Sequence, residues 1–514
     1  MTILSLRVSL LFGGVVVLAV PTAAQTGVEV ARTYRETHAS AIVRDFAEML
    51  TYPNRARDLD EVSRAAEYIR DQMRDAGVEA RLLTLDGVPP LVFGEVRRPG
   101  ATRTLGLYAH YDGQPVDPSN WTHPPFEPTL YTAAMDAGGQ PRGLPTDTEV
   151  VDPEWRIYAR SAGDDKAPIQ AFLSVLRAFR DGGIAPTSNL IFMFDGQEEA
   201  GSPLGDYMEQ VRDRVDDVEM WLFCDGPAHQ SGRPLLAFSA RGSMGMEVTV
   251  YGAIRNLHSG HYGNWAPDTG MILARLLSSM KDESGRVLVE GWYDTTEPLG
   301  AEAAAALRAM PDWDDEMKRE LGLVRTEGEP QTLPERLMVP ALNVRGMTSG
   351  NTGSLARNII PNTAVAALGI RLVQGNDPAQ LRQLIVDHIE RQGFHVVADD
   401  PDVDTRLRYP LIAKVTGGGG SVAARTPMSD PFVQQVIAAA TEAADRAFVE
   451  GALVLSPGLG GTLPIALFTD VWRKPAIVVP IANHDNNQHA PDENLRLANL
   501  WYGIDLFAEI MTMP

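Results

Sequence analysis

Three apolar runs in the first half of this chain end on acids or histidine, and that arrangement restricts the fold more than any other feature. Thr104 to Ala109 leads into His110-Tyr111-Asp112, Asn189 to Phe194 leads through Asp195-Gly196-Gln197 into Glu198-Glu199, and Val218 to Cys224 ends at Asp225. A short, nearly continuous apolar run fits a strand buried on both faces, as in a parallel sheet covered by helices. In open α/β sheets, sites collect at the carboxyl ends of the strands, so residues far apart in sequence converge there. The same runs therefore predict a sheet and a site together.

Helical patterns fill the intervals. Ala31 to Met49 and Asp58 to Ala76 read as helices, the second with Val62, Ala65, Ala66, Ile69 and Met73 near helical spacing. Ala167 to Phe179 reads as a helix directly after Asp164-Asp165-Lys166. The alternation continues to about Gly242 and predicts an α/β domain whose mostly parallel sheet is flanked by helices. Within it, the Pro/Gly-rich stretch Asp117 to Glu154 reads as a long surface loop near the site.

Beyond Gly242 the texture changes. Met244 to Tyr251 alternates as an edge-type strand, Asp268 to Met280 reads as helix, Ala364 to Val373 as strand and Asp377 to Gln392 as helix. This content predicts a smaller α+β domain over 243–400, inserted into a first domain that occupies 25–242 and resumes over 401–514. Ser284 to Leu337 is acidic and irregular, without a readable pattern. Gly417 to Gly420 reads as a flexible turn; without a following Lys-Ser/Thr it is not a nucleotide-phosphate loop.

Composition narrows the partners. With 45 basic against 67 acidic residues the formal charge is -22, which argues against nucleic acid, since phosphate binding needs a basic surface. Residues 1–24 read as a secretory signal: Arg7 supplies charge, Val8 to Val20 is apolar, and Thr22-Ala23-Ala24 offers small residues for cleavage. The apolar stretch is too short to span a bilayer comfortably, and no later run approaches that length, so a soluble periplasmic or secreted protein is the expectation. Cys224 is the single cysteine, which excludes an intrachain disulfide; it is read as packing beside the site.

The polar clusters carry chemistry. On extended backbone His110 and Asp112 emerge on one face, so an imidazole can bind metal with a carboxylate behind it. Asp164 could bridge two cations through its two oxygens. Glu198 and Glu199 can divide labour, one holding metal and the other the proton of an attacking water. Asp225 ends an apolar run, where an unpaired carboxylate would be costly, and His489 follows the apolar run Pro475 to Ile481. Taken singly, each has an ordinary reading as a surface pair, a solvated turn or a polar loop. Nitrogen and oxygen ligands without thiolates suit zinc, and also cobalt or manganese.

Together these residues resemble peptidase family M20, the dizinc peptidases and amidohydrolases that include carnosine dipeptidases, aminoacylase and acetylornithine deacetylase. The resemblance rests on Ala109-His-Tyr-Asp-Gly-Gln-Pro115, Gly163-Asp-Asp-Lys166, Glu198-Glu-Ala-Gly-Ser202, Cys224-Asp-Gly226, Asn256-Leu-His-Ser-Gly260 and His489-Ala-Pro-Asp-Glu-Asn494, in that order. It implies a zinc-exopeptidase-like fold with an inserted lid that also forms a homodimer contact. It implies two divalent ions, with His110 and Asp225 on one, Glu199 and His489 on the other, and Asp164 between them. Glu198 would be the general base, Asp112 the carboxylate that orients His110, and His258 a lid histidine that stabilises the carbonyl oxygen, commonly at the partner's site. Arg371 and Asn358 would contact substrate from the lid.

The sequence departs from the family's pattern twice. Pro457-Gly-Leu-Gly-Gly-Thr-Leu-Pro464 resembles the glycine-rich substrate loop but lacks the arginine and glutamate that dipeptidase-like members carry before the paired glycines; Gly460, Gly461 and Thr462 could still bond a substrate end. Ala167 stands where a glycine is usual after Lys166. The missing arginine points toward hydrophobic dipeptides, blocked amino acids or another small amide. The expected reaction is hydrolysis of a peptide bond in a small peptide, with an N-acyl-amino-acid deacylase as the alternative and a noncatalytic binding protein as a third reading.

Overall fold

The structure is a computed structural model that describes residues 26–445 and 452–514; the expected export segment, residues 1–24, lies outside the described residues. At its centre is an eight-stranded sheet with the order Glu79–Leu85, Val88–Val96, Asn189–Asp195, Thr104–His110, Met220–Phe223, Ala476–Val478, Leu235–Ala237, Val454–Ser456. The three apolar runs are its inner strands and pair in parallel, Thr104–His110 lying between the other two. All seven residues of Thr104–His110 are buried, which is why that run shows no polar alternation. Gly106 lets Trp221 lie against the strand, since a Cβ there would sit 2.3 Å from the indole.

The sheet is mixed: Ala237 pairs antiparallel with Val478 toward one edge, and at the other Glu79–Leu85 and Val88–Val96 run antiparallel through a turn at Asp86-Gly87, with Gly87 at φ 70°. An Asp-Gly turn favours that reversal because its residues tolerate positive φ. One face is covered by the helices Gly27–Leu50, Leu59–Asp75, Lys166–Gly182, Pro431–Ala444 and Leu497–Thr512. The other packs Tyr207, Met208 and Phe468 over Tyr108, Trp221 and Phe223. Each such large apolar side chain contributes on the order of 1.5–3 kcal/mol by leaving water.

A second, five-stranded sheet forms the inserted domain: Ala341–Thr348, Thr363–Leu372, Gly242–Tyr251, Ile412–Ser421, His395–Val397. The helices Thr269–Met280 and Pro378–Arg391 cover one face of it. Two expectations change here. Gly242–Tyr251 is the central strand and not an edge; its alternation reports one covered face and one open face, which a middle strand of a single-sided sheet shares with an edge. The insertion also runs past Pro401, because Ile412–Ser421 pairs with Gly242–Tyr251 along its length. The chain crosses between domains on two adjacent short strands, Ser239–Ala240 and Ala424–Arg425, so the second part of the catalytic domain starts after Ser421.

Gly417 to Gly420 lies within that strand and is not a free turn; the register slips between Met244 and Met246 there, and a Cβ on Gly420 would meet Ser243 O at 2.2 Å. Asp117 to Glu154 is also more than a loop. Its strands Thr129–Tyr131 and Pro141–Arg142 join Arg156–Tyr158 and Asn494–Arg496 in a four-stranded sheet that ties the segment to the late histidine loop. The irregular stretch 284–337 contains three short helices, Ala301–Ala309, Asp314–Glu320 and Leu333–Leu337.

Candidate metal centre

His110 is the last residue of the innermost strand and is 1 % exposed. Its two ring nitrogens face different groups. Nε2 lies 2.9 Å from Asp164 Oδ1 and 3.8 Å from Asp225 Oδ2, whereas Nδ1 lies 3.3 Å from Asp112 Oδ1. Asp112 thus stands behind the ring, where a carboxylate can hold one tautomer. Its oxygens also accept the backbone N–H groups of Glu198 (3.1 Å) and Glu199 (3.2 Å), so one carboxylate positions both the histidine and the paired glutamates.

Asp164 faces two ways. Oδ1 meets His110, and Oδ2 lies 3.0 Å from His489 Nε2, which is itself 3.2 Å from Glu199 Oε1. Oδ2 is buried without a hydrogen bond of good geometry, although His489 is close. A lone-pair nitrogen and a lone-pair oxygen brought together this way suit a shared cation. The positive φ of His489, 63°, sets its ring against Asp164 from the far side of a polar loop.

The electrostatics point the same way. Burial pushes the carboxyls of Asp225 up to about 7 and Asp112 up to about 6, and Glu198 well above the ordinary range. For Asp164 burial also acts upward, but the close rings of His110 and His489 outweigh it and hold the carboxyl well below its ordinary value. The close carboxylates of Asp164 and Glu199 raise His489 to about 10. So many acids at close quarters are costly unless positive charge joins them. Two groups of donors, His110, Asp164 and Glu199, and His110, Asp165 and Asp225, each gather within 4.8 Å, and their nitrogen and oxygen atoms fit hard or borderline divalent ions.

The five expected metal ligands, with Asp112 and Glu198, therefore meet at one end of the sheet. The expected substrate residues fall into two other groups. Arg371 Nη1 donates to Thr462 Oγ1 at 2.6 Å, beside Gly460 and Gly461. His258 and Asn358 stay on the lid: His258 is exposed and accepts the Gly260 N–H through Nδ1, and the Asn358 carbonyl accepts the Ser259 N–H. Among the described residues, no hydrogen bond or ion pair joins either to the carboxylates.

Several supporting residues lie within the quoted motifs but were given no role from sequence. Glu493 is fully buried; its carboxylate accepts the N–H groups of Ser161, Gly163 and Asp164 and pairs with Arg160 at 2.6 Å, which shapes the turn carrying Asp164. Gln114 Nε2 donates to Glu199 Oε2 at 2.7 Å. Asp165 Oδ2 accepts the His110 N–H, and Lys166, buried, donates to the carbonyls of Met49 and Tyr52. Cys224 is buried beside the site, as expected, and burial holds its thiol well above the ordinary value.

The chain as a whole is similar to known proteins. The chain is 25% identical over 427 residues to the Cys-Gly metallodipeptidase of Schizosaccharomyces pombe, covering 82% of each. It is 24% identical over 432 residues to human Beta-Ala-His dipeptidase, covering 82% of this chain and 76% of that one. Its fold matches an M20 family metallo-carboxypeptidase from Sulfolobus solfataricus with a TM-score of 0.72 at 25% identity, over 91% of this chain and 98% of that one. Human carnosine dipeptidase 1 matches with a TM-score of 0.71 at 22% identity, over 95% and 99%. The sequence profile of Peptidase family M20/M25/M40 matches residues 106–513, and the chain belongs to that family.

Proposed function

We propose that the protein is a dipeptidase that cleaves the peptide bond of a small substrate by hydrolysis, at a centre whose residues would hold two zinc ions. The observation that carries this reading is Asp164, which offers one oxygen toward His110 and Asp225 and the other toward His489 and Glu199. Those five side chains would hold the ions, which when bound supply Lewis acidity to water and to the scissile carbonyl; cobalt and manganese share the donor chemistry. The names of the relatives, Cys-Gly metallodipeptidase and Beta-Ala-His dipeptidase, support a dipeptide as substrate.

Glu198 then acts as the general base. Its backbone is held by Asp112, and burial raises its carboxyl, so a proton taken from water is retained long enough to pass to the leaving amine. His110 is kept in one orientation by Asp112. Arg371 and Thr462 hold the far end of the substrate, and His258 and Asn358 reach the site of a second copy, which makes a homodimer the working form. The apolar stretch and small residues at 1–24 support export to the periplasm or beyond; no helix among the described residues is long and apolar enough to cross a membrane.

The test is turnover of the zinc-loaded protein on unblocked dipeptides and on N-acetyl amino acids, with products read by mass spectrometry. Release of free amino acids mainly from the dipeptides is the expected outcome; preference for the blocked compounds would replace this reading with the deacylase. Glu198→Gln should lower kcat by about 10²–10⁴-fold while bound metal, read by elemental analysis, stays the same. Undiminished turnover in that variant removes Glu198 from the chemistry.

A further inference from the structure

The open face of the lid sheet holds a recess of about 490 Å³ floored by Gly245, Gly369, Gly419 and Gly420 and bordered by Arg345 and Arg371. Arg345 is the extra residue of a bulge in the strand Ala341–Thr348, where the register slips between Val344 and Gly346. Bulges re-aim side chains. Here the side chain lies down across two neighbouring strands: a Cβ on Gly369 would come within 2.7 Å of its Cδ, and one on Gly245 within 2.8 Å of its Nη2. Gly245 and Gly369 are direct cross-strand partners, so together they clear a track for one guanidinium.

Arg371 lies beside that track, paired with Ser243, one same-face position along from Gly245. Diagonal cross-strand neighbours of this kind lie roughly 7–8 Å apart. Arg241 adds a third guanidinium nearby. It is 7% exposed, donates through Nη2 to the Val339 carbonyl, and has a buried Nε without a partner. Burial, and after it the charge of Arg371, draws its pKa down to about 10, which leaves it charged at neutral pH.

Among the described residues, no ion pair joins any of these three arginines to an acid; the partners they have, the Val339 carbonyl and the Thr462 hydroxyl, are neutral. Glu247 lies on the same face but makes no ion pair with Arg345. In a chain of net charge -22, such a gathering of unneutralised cations is stabilised by an anion that it binds. One loop links the recess to the reaction centre. Thr462 touches Arg371, and Leu459, three residues earlier, lies 3.8 Å from the position of a Cβ on Gly226, next to Asp225.

We infer that Arg345 forms a second anion subsite beside that of Arg371, and that the enzyme selects dipeptides whose C-terminal residue is aspartate or glutamate. Arg371 and Thr462 take the main-chain carboxylate, and Arg345 takes the side-chain carboxylate through charge-assisted hydrogen bonds. Arg345 is then a specificity residue standing on the lid, away from the glycine-rich loop that lacks an arginine. This inference rests on the dipeptidase reading above.

The experiment is steady-state hydrolysis of Ala-Glu and its neutral isostere Ala-Gln by the zinc-loaded full chain, read as the ratio of their kcat/KM values. One charge-assisted contact predicts a ratio of about 10 or more in favour of Ala-Glu. Arg345→Met should bring that ratio to about one, and Arg345→Lys, which keeps the charge but loses the fork, should leave an intermediate value. A wild-type ratio near one, as a solution pairing of Arg345 with Glu247 would produce, overturns the inference. So does a ratio that stays the same in Arg345→Met. Cleavage of N-acetyl-glutamate with neither dipeptide cleaved overturns the dipeptidase reading and this inference with it, whereas equal cleavage of the two dipeptides overturns this inference alone.

Discussion

Glu493 shows how a residue without a catalytic role can control the site. It is a buried carboxylate that holds three N–H groups of the Ser161–Asp164 turn and depends on Arg160 for its charge balance. Arg160→Met would leave that acid buried and unpaired, at a cost of about 3–5 kcal/mol, read as a lower urea midpoint. His229 gives a prediction in pH. Its Nδ1 accepts the Ser231 N–H at 3.1 Å, and burial lowers its pKa to about 4. Because the folded value lies below the ordinary 6.5, the unfolded chain binds the proton first. The contribution of this group is complete above 6.5 and shrinks as pH falls toward 4. His229→Asn, which keeps an acceptor for Ser231, should flatten the rise of Tm across that interval relative to the wild type. His110 and Asp225 were legible as candidates because each ends an apolar run, whereas Asp164 and His489 stand in polar turns and became candidates only through the order of motifs in which they occur. The role of Glu493 was not legible, although it lies in the motif His489 to Asn494, since an acid in a polar loop looks the same whether solvated or buried.

At the scale of elements, the inner strands and their covering helices follow directly from runs and periodicity. Thr104–His110 is buried from end to end and has no polar alternation to misread. Its tightest packing depends on a missing side chain. Gly106→Ala would drive a methyl into the Trp221 ring, at a cost of about 1–3 kcal/mol or more, measured by chemical denaturation against a control at the exposed Gly143, where a Cβ meets nothing within 4 Å. The elements that were misread share a cause. Gly242–Tyr251 looks like an edge because alternation reports which face is covered and says nothing about how many strands lie alongside. Gly417 to Gly420 looks like a turn because glycine is permissive. It forms strand here because Gly417 and Gly420 pair with Met246 and Met244, where the neighbouring backbone comes too close for a side chain.

For the whole molecule, the centre joins segments that are hundreds of residues apart: His110 and His489 meet the same Asp164. Ions bound there would stabilise the native state over the unfolded chain, which holds no such constellation. At free zinc 1,000-fold above its Kd that contribution is about 4 kcal/mol. Chelation should therefore lower Tm in calorimetry, and added zinc should restore it; identical transitions with and without chelator would argue that the acids serve another purpose. The α/β class and the donor chemistry of the candidate ligands were readable from residue order, because burial pattern and donor type are local properties. Where the lid ends, which strand lies in its middle, and how Arg345 comes to lie beside Arg371 depend on cross-strand register and close backbone approach. Those relations exist only between segments already folded against one another, so no window of sequence contains them.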